Sequence, residues 1–140
     1  MHQYPIRFGG YDYWLRGNAD FEAGQFADAF TDWERALRTF GWDTEADSVQ
    51  RAFSNGGPHA GARELAHVFE EIRKDRWLTA DLLIDTQFYA GDKEKLLAWL
   101  EKAYKNRDEV ILHLKSDHRW DPYRSDPRFQ EVYRRVGLPQ

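Results

Sequence analysis

The residues best suited to chemistry gather near the carboxyl-terminal end, where His113, Asp117, His118 and Asp121 place two imidazoles and two carboxylates close together in the chain. Imidazole nitrogen and carboxylate oxygen are ligands that zinc and similar metals take from proteins. Their spacing lies across a helix end and a loop, however, not along one helix face as in the H-E-x-x-H pattern. Solvated loop polars and turn-forming aspartates account for these residues equally well. No metal or cofactor is therefore expected, and a metal-dependent enzyme at this loop is the least favoured reading. His67 and Glu71 form an i, i+4 pair, the ordinary spacing of a contact along a helix surface. No glycine-rich loop precedes a strand, so no phosphate cradle is present, and no serine sits in a nucleophile elbow. Catalysis is not expected.

Arg119, Arg124, Arg128, Arg134 and Arg135 make the same end locally basic, a feature that phosphate or RNA contacts use. Acidic neighbours dilute the patch, and Arg124 and Arg128 can instead bind the aspartates of the adjacent turns. The whole chain carries a formal charge of −4, the wrong sign for steering nucleic acid. Its 140 residues suffice for one domain with a real core, and the 31% charged residues are too well mixed with apolar ones for a disordered tail. With no cysteine there is no disulfide framework and no thiolate site. No apolar run is long enough to cross a membrane, and the start MHQYPIRFGG lacks the basic-then-apolar pattern of a signal peptide. A cytoplasmic protein without membrane contact, or a piece of one, is the expectation.

Helices must position whatever site exists. Residues 91–106, GDKEKLLAWLEKAYKN, put Leu96, Leu97, Leu100, Ala103 and Tyr104 on one stripe of a 3.6-residue wheel. Gly91 stops the preceding helix and Asp92 caps the next one. The same helix, tight turn, helix pattern occupies residues 17–37, with Gly24 matching Gly91, Trp33 matching Leu100 and Ala36 matching Ala103. Each pair is 67 residues apart, close to twice the roughly 34-residue period of a tetratricopeptide array. A worn third copy is expected between them, with its turn near Gly57. The spacing predicts helices over about 11–23, 26–40, 44–54 and 59–74, one opening at Thr79 and ending before Gly91, then the helix after Asp92. A short one is capped by Asp108, and a last one over 127–136 starts with Asp126 and Pro127. Residues 1–10 read as an extended lead-in to a single domain over 11–140. No stretch reads as a strand.

On these residues the chain resembles tetratricopeptide-repeat (TPR) domains, and more closely the carboxyl-terminal repeat region of bacterial signalling and transcriptional regulators. The likeness rests on Gly17, Asn18, Ala19, Phe21, Gly24, Phe26, Ala29, Trp33 and Ala36 in the first copy and on Gly91, Leu100 and Ala103 in the last. Leu96 departs from the small residue usual there. The element DPYRSDPRF is the most specific part of the closing segment. The resemblance implies an all-α solenoid of three helical hairpins, the middle one degenerate, with two short carboxyl-terminal capping helices pinned by Trp120, Tyr123 and Phe129.

It also implies a scaffold whose concave groove binds a peptide segment of a partner protein. By position, Tyr11, Trp14, Asn18, Phe21 and Glu22 would line the groove from the first pair, and Leu78, Asp81, Asp85, Phe88 and Tyr89 from the third. Asn18 matches an asparagine of the family's carboxylate clamps, but Trp14 stands where the companion lysine belongs, and Asp81 and Asp85 would repel a terminal carboxylate. An apolar or basic segment fits better. Self-association is the alternative, giving a monomer or a weak homodimer.

Overall fold

The computed structural model describes residues 3–75, 78 and 80–137, and among these it contains helices and no strand. The helices are α1 (Gln3–Glu22), α2 (Phe26–Thr39), α3 (Asp43–Asp75), α4 (Ala80–Ala90), α5 (Lys93–Lys105) and α6 (Pro127–Val136), with 3-10 helices at Glu109–His113 and His118–Tyr123 between the last two. No helix is long and apolar enough to cross a membrane. Most boundaries follow local chemistry. Asp92, Asp108 and Asp126 each accept a hydrogen bond from a backbone N–H two or three residues on, at 2.8–3.1 Å, so a carboxylate satisfies a donor the helix leaves open. Pro127 begins α6, where its missing N–H costs nothing. Thr79, expected to cap α4, lies outside the described residues.

One boundary differs from expectation. Residues 3–10 are not an extended lead-in but the first turns of α1. Pro5 stands in the opening turn, where helices tolerate proline. Gly10 is buried so that a Cβ there would come within 2.5 Å of the Phe40 ring. Packing on α2, which no local pattern displays, thus carries the helix backwards. Gly17 repeats the device one step on, since a Cβ there would overlap the Trp33 indole.

Gly24, Gly57 and Gly91 all have left-handed φ, +81°, +86° and +76°. Gly57 combines its φ with ψ −172°, a conformation essentially confined to glycine, and it divides α3 into arms over 43–56 and 58–75. Phe53 on the first arm has its Cβ 3.0 Å from the place a Cβ would take at Gly61 on the second. Eight residues of unbroken helix would separate them by about 12 Å, so the arms fold back on each other. Phe30 of α2 stacks on Phe53 with ring centres 4.3 Å apart and covers Gly61.

Successive helices pack in chain order, α1 on α2, α2 on α3, α3 on α4 and α4 on α5. Two apolar clusters result. The first gathers Trp14, Phe30, Trp33, Leu37, Leu65 and Phe69, and the second Leu96, Leu97, Leu100, Trp120 and Phe129. Phe88 and Trp99 touch both. Ala29, Ala36 and Ala103, the small residues expected at helix crossings, are all buried.

Candidate functional site

Side chains of α1 reach α4 directly. Asp85 accepts hydrogen bonds from Trp14 Nε1 (3.1 Å) and Asn18 Nδ2 (3.2 Å), while the Asn18 carbonyl accepts one from Trp33 Nε1 (3.0 Å). Across the same junction the Tyr89 hydroxyl donates to Glu22 at 3.1 Å. Asn18 with Asp85 and Glu22 with Tyr89 are each 67 residues apart, the same spacing that separates Gly24 from Gly91 in the sequence.

The carboxyl-terminal 3-10 helices complete the junction. Arg119 forms an ion pair with Asp85 at 2.9 Å and with Asp117 at 2.9 Å, donates to the Tyr89 hydroxyl at 2.8 Å, and lies 4.5 Å over the Phe88 ring. His118 Nε2 meets Glu22 at 2.9 Å. Burial pushes the Asp85 carboxyl up to about 6, against the pull of Arg119 and the Trp14 N–H. Burial likewise raises the Tyr89 hydroxyl. At Asp117 burial opposes the charge, but the Arg119 side chain and backbone N–H outweigh it and hold the carboxyl below its usual range.

Above this network lies a groove of about 690 Å³. One wall is a face of α1 carrying Tyr11, Leu15, Ala19 and Glu22, spaced three or four residues apart. The floor includes Asp81, Asp85 and Tyr89 from α4, and Val110, His113 and Asp117 stand opposite. No family model matches the chain, and neither a curated protein nor a solved structure matches it at a significant level. The groove must therefore be read from its own chemistry.

Of the residues assigned to a groove from the sequence, Tyr11, Asn18, Glu22, Asp81, Asp85 and Tyr89 line this one. Trp14 and Leu78 do not; both are buried in the first apolar cluster, and Trp14 stacks on Phe69 with ring centres 5.1 Å apart. Phe21 and Phe88 are half-buried and spend their rings on neighbours, Phe21 on Trp33 and Phe88 on Trp120. Asn18 is buried with both amide ends engaged, so it is not placed as a clamp asparagine. Leu15 and Ala19 also line the groove although the sequence reading assigns neither to it; they follow Tyr11 at i+4 and i+8, a signal the sequence does carry. The far wall had none, because a loop crossing back over α1 and α4 is a tertiary event.

The other clusters are tied up in pairs. Arg124 binds Asp121 at 2.8 Å as expected. Arg128 instead reaches Glu94 and Glu101 at 2.8 and 2.9 Å, while Asp126 pairs with Lys93. Arg134 and Arg135 both hold Glu131. Glu71 pairs with Lys74 at 2.8 Å. Asp117, His118 and Asp121 each face a different partner. Among the described residues no three His, Asp or Glu side chains are grouped to hold a metal ion.

Proposed function

We propose that the protein is a protein–protein interaction scaffold that holds a segment of a partner in the groove between α1, α4 and the carboxyl-terminal 3-10 helices. The observation that carries this reading is the placement of Tyr11 and Leu15. These are large apolar side chains left 42% and 47% exposed, and both lie on one wall of the groove. Exposed aromatic and aliphatic side chains in a concavity are the usual anchors of an interface. Left-handed glycines at 24, 57 and 91, 33 and then 34 residues apart, support a TPR-like pile of three hairpins as the framework. No catalytic step belongs to this reading. It suits the regulatory end of a bacterial cytoplasmic signalling protein, the setting that the resemblance implies.

Peptides selected on the wild-type protein from a random display library test it. They are expected to lose binding to Leu15→Glu while that variant keeps the wild-type melting temperature. Equal binding to both proteins, or no selectable peptide, rules the groove out. Trp14 is no probe for this purpose, because replacing a fully buried Trp by Ala costs about 3–5 kcal/mol of stability.

Self-association draws on a different surface. Leu112 is 60% exposed beside Ile111 and Val136 in a second concavity of about 510 Å³. Sedimentation across a concentration series decides this: mass that rises for the wild type and not for Leu112→Glu supports it, and a constant monomer mass removes it.

A further inference from the structure

Resting on the groove reading above, we propose that the groove selects a partner segment carrying arginine or lysine beside an apolar residue, with the cation seated on Asp81 against Tyr11. The chain's own Arg119 shows how this groove holds such a group. Its guanidinium lies over the Phe88 ring at 4.5 Å and pairs with Asp85 at 2.9 Å. Aromatic faces and carboxylates together are the preferred surroundings of a guanidinium.

One helical turn earlier on α4 stands Asp81, four residues before Asp85 and so on the same face. Tyr11 lines the same groove from α1, and its hydroxyl is held above its usual pKa, first by burial and then by the charges of Asp81 and Asp85. Among the described residues no cation pairs with Asp81, whereas Asp85 has Arg119. The open end of the groove thus repeats the acid and aromatic ring of the filled end without the cation.

Charge points the same way. Glu22, Asp81, Asp85 and Asp117 line the groove against Arg119, four carboxylates to one guanidinium. An acidic segment meets repulsion there. A purely apolar one covers Asp81 and leaves its charge desolvated without compensation. A cation next to an apolar side chain satisfies Asp81 while its neighbour rests on Leu15 and Ala19.

Peptides selected from the same random library are the probes. Those that depend on Leu15 are expected to carry Arg or Lys adjacent to an apolar residue. Exchanging that Arg for citrulline, which keeps the shape and removes the charge, should weaken binding about tenfold, the scale of a lost charge-assisted hydrogen bond. Asp81→Asn should give a similar loss with the arginine peptide and little further loss with the citrulline peptide. Equal binding of the two peptides to wild type, with Leu15→Glu abolishing both, overturns the cation seat and leaves the groove standing. Binding that ignores Leu15→Glu overturns the groove, and the seat with it. The citrulline comparison needs only wild-type protein, so it decides even where Asp81→Asn fails to fold.

Discussion

Asp85 is the residue on which α1, α4 and the carboxyl-terminal segment converge, and its surroundings make its charge costly. Burial raises its pKa to about 6 although Arg119, Trp14 and Asn18 all contribute donors. A carboxyl whose folded pKa stands above its unfolded value, near 4, binds its proton more tightly in the fold. That contribution is fully present below about pH 4 and is lost as pH rises through about 6. Asp85→Asn fixes the neutral form, so its stability relative to wild type should improve from pH 4 to pH 7, by up to roughly 3 kcal/mol. Asp117, held below its usual range by Arg119, runs the other way, with stability lost as pH falls; it is present in both proteins and largely cancels in the difference. Urea denaturation of both proteins at pH 4, 5.5 and 7 measures the trend. A difference that stays flat with pH refutes this account of Asp85.

Among the elements, the turns carry the strongest prediction. Gly57 holds φ +86° and ψ −172°, which a side chain adopts only under strain, so Gly57→Ala should cost about 1–3 kcal/mol and lower the melting temperature by several degrees. No atom stands within 4 Å of a Cβ built there, hence the loss would report backbone strain and not crowding. A neutral Gly57→Ala would mean that the arms of α3 do not turn back at this residue. These turns were legible in the sequence because glycine and the capping aspartates act within a few residues of themselves: Gly24, Gly57 and Gly91, like Asp92, Asp108 and Asp126, sit where local chemistry puts them. The start of α1 was not legible, since Pro5 and Gly9 break any local period there, and the packing of Gly10 on Phe40, just past α2, is a tertiary contact. The groove was legible by helix but not by face. Trp14 and Tyr11 are three residues apart on α1, and only the position of α4 and Phe69 decides that Trp14 turns inward and Tyr11 stays open.

For the molecule as a whole, the decisive contact is the return of the carboxyl-terminal segment onto the first helix. An open pile of hairpins would let its two ends unfold separately, since each repeat would touch only its neighbours. Here Arg119 locks residues 117–119 onto α4, Tyr89 passes the link to Glu22 on α1, and Phe88 joins the two apolar clusters. Arg119→Ala leaves Asp85 buried without its cation, and breaking a buried pair from one side typically costs about 3–5 kcal/mol. The His118–Glu22 pair has a mostly exposed imidazole, so His118→Ala should cost no more than about 1 kcal/mol. Urea titrations followed by tryptophan fluorescence and by far-ultraviolet circular dichroism separate the possibilities. If the segment closes the fold, Arg119→Ala lowers the midpoint in both signals together, because Trp14, Trp33 and Trp120 then report one transition. Should the helices of α1 and α2 instead melt at the wild-type midpoint while the fluorescence of Trp120 shifts alone, the two ends are independent, and the carboxyl-terminal wall of the groove is an appendage and not a part of the fold.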